Sequence, residues 1–136
     1  MLPICTSGIF IRDKKILLGL RSYSGLEYID GDFRTTPGGR CDEGEEVEAT
    51  LRREIEEEVG FKTFEIKEKL GVVPGAKKGD MVHVFICDTA EEPILMEPEK
   101  FKEWKWFNIS AIPDNFINPH ILKIIQTLCG SSRYFD

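Results

Sequence analysis

The chain has 136 residues, of which 41% are hydrophobic and 31% charged, and its net charge is -6. This composition is typical of a globular protein, and the length suits a single domain spanning residues 1–136. The acidic charge argues against a surface for long nucleic acids, which are usually bound by basic patches. It leaves room for a small phosphorylated ligand, because metal ions can neutralise phosphates locally.

The cysteine spacing and the apolar runs indicate the compartment. Four cysteines lie far apart and form no C-x-x-C pair, which is typical of free thiols in a reducing compartment. No secretory signal is visible, and no apolar run reaches the roughly 18 residues of a membrane span. We therefore expect a cytoplasmic protein with no membrane partner, and the sequence leaves a homodimer open.

The first half of the chain predicts three strands and a helix. Ile4–Ile11 and Lys15–Arg21 are apolar runs joined by a polar turn, which indicates a hairpin. Ser22–Asp32 is predicted to be a loop long enough for a functional role, followed by a short strand at Phe33–Thr36. Glu46–Val59 has an apolar residue every four positions and is predicted to be a helix that stops at the following glycine.

The second half predicts three more strands and a second helix. The strands are Thr63–Val73, Met81–Asp88 and Glu103–Phe107. The helix is Pro119–Cys129, with Asn118 as its N-cap and a proline in its first turn. Strands outnumber helices and the helices are far apart in sequence. We therefore expect an α/β fold in which a mixed sheet lies between helices.

An acidic cluster lies on the first predicted helix. At about 100° per residue, Glu54, Glu57 and Glu58 fall on one arc of the helix. Glu56 falls on the far side and should face water, and Arg53 flanks the arc. Clustered carboxylates repel each other, and a hard cation such as Mg²⁺ or Mn²⁺ would offset that repulsion. An acidic run is more often a solvated face, so the cluster alone does not establish a metal site.

The loop before this helix favours the metal site. Gly38 and Gly39 allow a tight backbone and close approach by a ligand. Asp42, Glu43 and Glu45 lie before the predicted helix or near its start, where the helix dipole favours negative charge. The loop and the acidic arc therefore form one candidate site.

The spacing of these residues resembles the Nudix box. Gly39 is followed by five residues and Glu45, then by seven residues and the sequence REIEEEVGF at Arg53–Phe61. Every fixed position of the box is matched, although Phe61 stands where an aliphatic residue is commoner. The flanking order of strands is similar to that of the Nudix α/β/α sandwich, which extends the resemblance over nearly the whole chain.

The resemblance implies a metal-dependent hydrolase in which metal-activated water attacks a phosphorus. It implies that the Gly39 carbonyl helps to bind the metal ions, and that Arg53 pairs with Glu45 to hold the loop against the helix. It leaves open which helix carboxylate deprotonates the water. The carboxylates that it assigns to the metal are those of Glu54, Glu57 and Glu58.

Residues outside the box resemble the MutT-like nucleoside triphosphate pyrophosphatases. An acid ahead of the EWKWF segment that begins at Glu103 is implied as a further metal ligand or base, with Glu97 the first candidate and Glu99 the second. A solvated loop acid is the alternative. Arg21 ends an apolar strand where the family often places a phosphate-contacting arginine, and a surface salt bridge is the competing interpretation.

The base-binding residues match less well. The MutT-like prototype reads guanine partly with an asparagine two residues before a proline, where this chain has Ile117 and places Asn118 one residue later. Asn118 is therefore a substrate-binding candidate that is more simply a helix cap. Phe33, Phe116 and Tyr28 are aromatic residues that either stack on a base or pack in the core. Guanine specificity is not implied.

The predicted reaction is hydrolysis of a nucleoside triphosphate to a monophosphate and pyrophosphate. ADP-ribose and other nucleoside diphosphates linked to a second group are the alternative substrates, but Ala76 stands where the ADP-ribose subfamily tends to carry a proline. Dinucleoside polyphosphates and capped RNA ends also stay open, with the negative charge disfavouring long RNA. The alternatives from other classes are a non-catalytic nucleotide-binding module of the same fold and a plain acidic structural domain.

Overall fold

The computed structural model describes residues 3–26 and 29–131. Each predicted strand and helix is present, with ends that differ by a few residues. The second strand continues to Tyr23 and the third begins at Gly31, so the connection between them is shorter than the predicted loop. The elements are β1 Ile4–Arg12, β2 Lys15–Tyr23, β3 Gly31–Thr35, α1 Val47–Val59, β4 Glu65–Pro74, β5 Met81–Asp88, β6 Phe101–Asn108 and α2 Pro119–Cys129.

The six strands form one mixed sheet. β1 pairs with β5 in parallel, and all other strand pairs are antiparallel. β2 pairs with β6 along one edge, so β1 and β3 share its other edge. The predicted mixed α/β fold is confirmed.

The predicted β1–β2 hairpin is present but short. Asp13 and Lys14 have φ of 50° and 63° and form a two-residue turn with positive φ at both positions, as type I′ turns require. Only Ile11 with Ile16 and Arg12 with Lys15 pair before the two strands separate. Most of that edge of β1 is therefore left to another segment.

The two helices cover opposite faces of the sheet, because neighbouring residues of each strand point to opposite sides. Ile9 of β1 packs with α2 residues such as Ile125, whereas the next residue, Phe10, packs with α1 residues such as Leu51. Neither of the described helices, of 13 and 11 residues, approaches the length of about 20 residues that crosses a bilayer.

The helix ends follow their local sequence. α1 ends at Gly60, whose φ of 76° is a left-handed conformation that favours glycine. Asn118 caps α2 as predicted, because its side-chain oxygen accepts hydrogen bonds from the backbone N–H groups of His120 (2.9 Å) and Ile121 (3.2 Å).

Candidate active site

The glycine loop, residues 37–40, precedes α1. It lies along the part of β1 that does not pair with β2. Thr6 N donates to Gly39 O and Gly8 N donates to Pro37 O, each at 2.8 Å. Gly38 has a φ of 147°, and a Cβ atom there would collide with the carbonyl of Thr6. The loop can therefore approach β1 this closely only with glycine at position 38.

Glu58 is buried where the glycine loop meets α1. It is 3% exposed, and its Oε1 accepts a hydrogen bond of 2.8 Å from Gly38 N. Burial is the main cause that raises its pKa to about 8. The negative charges of Glu54 and Glu97 also raise this pKa, whereas the Gly38 hydrogen bond and the positive charge of Arg21 lower it. The ionised form of a buried carboxylate beside other carboxylates is unfavourable unless a positive charge lies close to it.

Glu54 lies directly over Gly39. A Cβ atom on Gly39 would overlap the Glu54 carboxylate, so this glycine forms the cradle for the acid. Half-burial raises the pKa of Glu54, and the neighbouring Arg53 opposes that rise. Glu57, one turn further along the same arc, is exposed. The arc therefore runs from a buried acid to an exposed one.

Arg53 holds the acids of the loop and the helix together. Its guanidinium donates two hydrogen bonds to Glu45, from Nε at 2.8 Å and from Nη2 at 2.9 Å. Its Nη1 donates to Glu54 at 2.9 Å and to Glu57 at 3.3 Å, and Nη2 also reaches the carbonyl of Arg40 at 3.2 Å. The Arg53 bonds hold the pKa of Glu45 well below its usual range. The pairing implied by the sequence is present.

A residue of β2 and a residue of the loop before β6 lie at the same end of the site. The charges of Glu97 and Arg21 both act on the pKa of Glu58, so both side chains lie near it. Glu97 is 20% exposed and lies 3.5 Å from Lys100, whereas Glu99 is exposed. The Arg21 guanidinium lies over the Phe101 ring at 5.4 Å. Of the two predicted loop acids, Glu97 has the position nearer the cluster.

A cleft opens beside Glu58 and extends toward the start of α2. Arg21, Gly38 and Glu58 line one end, and Ala76 and Asn118 line the other. Phosphate contacts at the first end and a nucleoside at the second would fit this arrangement of charge. The cleft therefore joins residues from the two halves of the chain.

Two predicted base-stacking residues do not line this cleft. Phe116 packs against the core on the α2 side, and Phe33 packs edge-on against Tyr23 with ring centroids 6.1 Å apart. The pairing of β3 sets Phe33 opposite Arg21, on the same face of the sheet but beyond the residues that line the cleft, and a bridge joins Arg34 to Phe116. The other aromatic candidate, Tyr28, lies outside the described residues.

Asn118 lines the cleft, but its amide is engaged elsewhere. Besides capping α2, its Nδ2 donates to Pro74 O at 3.0 Å, and the residue is 4% exposed. These bonds fix the amide between α2 and the end of β4. The structure favours the cap interpretation over the base-reading one.

The carbonyl of Gly39 is also occupied. It accepts hydrogen bonds from Thr6 N at 2.8 Å and from Thr6 Oγ1 at 3.0 Å. The implied role of this carbonyl as a metal ligand stays a prediction. In the structure Gly39 also forms the cradle for Glu54.

The remaining donor set suits a hard cation. Among residues 3–26 and 29–131, no group of three or more His, Cys, Asp or Glu side chains is already arranged to hold a metal ion. The acids nearest Glu58 nevertheless offer only oxygen donors, which Mg²⁺ and Mn²⁺ prefer, and their repulsion raises the pKa of Glu58. An open site that also uses ligand oxygens is typical of Mg²⁺.

A model of the NUDIX domain matches residues 2–128. The chain belongs to the Nudix family of hydrolases. The predicted resemblance is therefore confirmed, and the box residues described above are the Nudix box of this chain.

A relative of this Nudix chain is named as an NAD-capped RNA hydrolase. It is 33% identical over 106 residues to the NAD-capped RNA hydrolase NudC of Mannheimia succiniciproducens, covering 76% of this chain and 39% of that protein. The chain thus spans about two-fifths of that relative's length.

Solved structures confirm the fold. A MutT Nudix hydrolase from Burkholderia pseudomallei superposes with a TM-score of 0.74 at 25% identity, covering 91% of this chain and 95% of the other. An ADP-ribose pyrophosphatase from Streptococcus suis superposes with a TM-score of 0.73 at 17% identity, covering 100% and 97%. At such low identity the second similarity shows the fold alone.

The sequence did not single out two residues of the site, Thr50 in the Nudix box and Phe101 in the cleft. Thr50 is fully buried and donates to Glu45 Oε1 at 2.6 Å, which orients the partner of Arg53. Its polar side chain on the buried face of an amphipathic helix could have drawn attention to it. Phe101 lines the cleft and lies under Arg21, but no local pattern distinguishes it from a core phenylalanine.

Proposed function

We propose that this Nudix domain hydrolyses a pyrophosphate linkage in a nucleoside triphosphate and releases a nucleoside monophosphate and pyrophosphate. The observation that carries the proposal is the buried Glu58, held by the glycine loop at the mouth of a cleft that Arg21 also lines. A non-catalytic module would have no need to keep a carboxylate in so unfavourable a place. A plain acidic structural domain would have no need of the cleft.

The acids of the cluster would hold the metal. Glu54, Glu57 and Glu58 are the proposed ligands, with Glu97 as a further one, and Mg²⁺ is the expected ion with Mn²⁺ as a substitute. A divalent ion bound there supplies a more acidic water and neutralises charge on the phosphates. The described acids would supply such an ion with part of its oxygen ligands, and phosphate oxygens of the substrate would supply others.

The protein's own groups orient the substrate and move the proton. We infer that Arg21 contacts a phosphate, with its guanidinium steadied by the rings of Tyr23 and Phe101. We assign the proton of the attacking water to one of the helix carboxylates of Glu54, Glu57 and Glu58. Arg53 donates to both the exposed Glu57 and the half-buried Glu54 and so fixes the positions of their carboxylates relative to each other.

The triphosphate is favoured by the wall of the cleft. Ala76 lines the cleft at the position where the ADP-ribose subfamily tends to carry a proline. A nucleoside diphosphate linked to a second group is the second candidate, because the 33% identity is to a NAD-capped RNA hydrolase. The net charge of -6 disfavours contact with a long RNA beyond the cap.

A substrate panel tests the proposal. Purified protein with Mg²⁺ is given normal and oxidised nucleoside triphosphates, ADP-ribose, NAD and a dinucleoside polyphosphate, and phosphate release is measured with a coupled phosphatase. We expect turnover of a triphosphate that disappears with EDTA and in Glu57→Gln, and that persists in Glu56→Gln. Turnover of ADP-ribose or NAD alone would favour the second candidate. Substrate binding without turnover at any Mg²⁺ concentration would overturn the hydrolase proposal.

A further inference from the structure

An ion pair outside the Nudix acids connects the glycine loop to the turn between β4 and β5. Arg40 donates to Asp80 from Nη1 at 3.2 Å and from Nη2 at 2.7 Å, so both carboxylate oxygens are used. The Asp80 side chain is 8% exposed, and that of Arg40 is 48% exposed. Burying the carboxylate would be costly without this partner.

The Arg40 end is part of the glycine loop. Arg40 immediately follows Gly39, bridges to Cys5 of β1, and accepts the hydrogen bond of Arg53 on its carbonyl. Its backbone is therefore fixed by the same contacts that hold the acids. The thiol of Cys5, which lines the cleft, also lies 3.8 Å from the Asp80 carboxylate.

The Asp80 end closes the β4–β5 turn. Gly75 N donates to Asp80 O at 2.8 Å, and Asp80 N donates to the carbonyl of Lys77 at 3.1 Å. Ala76, within this turn, lines the cleft at its nucleoside end. The other side of the turn is held where Asn118 donates to Pro74 O. The turn is thus fixed at two points, one of which is the ion pair.

We propose that Arg40 and Asp80 form a positioning pair that sets the width of the cleft at its nucleoside end and so determines substrate affinity. The pair holds the turn that carries Ala76 into the wall of the cleft, so it acts on binding rather than on the chemical step. The affinity part of this inference rests on the proposed function, because it requires that the cleft hold a nucleotide.

The main test uses the double variant Arg40→Gln/Asp80→Asn, which removes both charges without leaving one buried and unpaired. Glu92→Gln is the control, since it breaks the bidentate pair that Glu92 forms with Arg12, at the far end of β1. Steady-state kinetics are measured on the best substrate, and backbone hydrogen exchange is followed over residues 75–80. Melting temperature reports whether each variant is folded.

We expect KM to rise about tenfold in the double variant with kcat within about twofold, since uniform binding is lost. Exchange over residues 75–80 should accelerate, and the control should change neither quantity. Arg40→Lys keeps the positive charge but loses the planar pair of donors that binds both oxygens of Asp80, so it should give an intermediate KM.

The two proposals fail in different ways. If no wild-type substrate is found, the proposed function fails, while unchanged exchange over residues 75–80 in the double variant would separately overturn the positioning pair. A fall in kcat at constant KM would show that the pair serves the chemistry and would overturn the inference. Faster exchange with an unchanged KM would also overturn it, because the turn would then not govern binding.

Discussion

The two ends of the cleft are built in different ways. The acidic end comes mainly from one continuous segment, from Gly38 to Glu58, in which the loop and helix are tied by Arg53, and Arg21 and Glu97 join it from outside. The nucleoside end brings together the β4–β5 turn and the start of α2. The acids of the chemistry are therefore encoded mostly by one local segment, whereas the shape that selects a substrate depends on how distant segments pack. Substitutions at the two ends should separate kcat from KM.

The largest effect is expected at the acidic end. Glu54→Gln removes a charge from the cluster but keeps the shape that fits over Gly39. Activity should fall by about 10²–10³-fold or more, as for loss of a group that stabilises transition-state charge. The melting temperature without metal should not fall, because burial already disfavours the charged form. Steady-state kinetics beside Glu56→Gln, whose parent residue is exposed, would check this, and equal losses in both variants would contradict it.

A smaller effect is expected for the guanidinium that organises the acids. Arg53→Lys keeps the charge but loses the fork that binds both oxygens of Glu45. We expect kcat to fall by about 10–100-fold, because a slight misplacement of reacting groups is costly. Glu45→Gln should give a similar loss, and the double variant little more, because the two residues act as a unit. Additive losses in this double-mutant cycle would show that the residues act independently.

The buried acid should make stability depend on pH. The pKa of Glu58 is raised from 4.5 to about 8, so the metal-free protein favours its protonated form. This group therefore contributes stability below pH 4.5 that is lost as pH rises toward 8, an effect on the order of 3–5 kcal/mol. Glu58→Gln should remove that dependence and melt at least about 5 °C higher at pH 8.5 in EDTA. Thermal melts from pH 5 to 9 would check this, and parallel curves for the two proteins would contradict it.

The smallest effect is expected for Arg21, at the acidic end. Arg21→Gln removes the positive charge beside Glu58 that is proposed to contact a phosphate. We expect KM to rise about tenfold, as for loss of one charge-assisted hydrogen bond. Arg52→Gln, which removes an exposed arginine of α1 outside the cleft, is the matched control and should leave KM unchanged. A larger effect of Arg52→Gln than of Arg21→Gln would show that the substrate lies elsewhere.

The strands, the helices and the acidic arc followed from the sequence because each depends on local spacing. The apolar period that predicted α1 also placed Glu54, Glu57 and Glu58 on one side, and the asparagine before Pro119 predicted the cap of α2. The degree of burial did not follow, since Glu58 is buried and Glu57 exposed only because the glycine loop crosses one end of the arc.

The nucleoside end could not be predicted in the same way. Phe33 shares the face of the sheet with its strand partner Arg21, but whether its ring reaches the cleft depends on its packing against Tyr23. The position of Phe116 depends on a bridge to β3. The Arg40–Asp80 pair joins residues 40 positions apart, and neither has a local feature that indicates the other. The occupied carbonyl of Gly39 likewise depends on a contact with β1.

The products formed from a nucleoside triphosphate, followed by ³¹P NMR with Mg²⁺ and again with EDTA, test most sharply whether the acidic cluster directs metal-dependent hydrolysis. We expect nucleoside monophosphate and pyrophosphate, formed only when the metal is present and absent in Glu57→Gln. An unchanged rate in EDTA would refute metal-dependent hydrolysis by this cluster, and nucleoside diphosphate and phosphate as products would refute the release of a monophosphate.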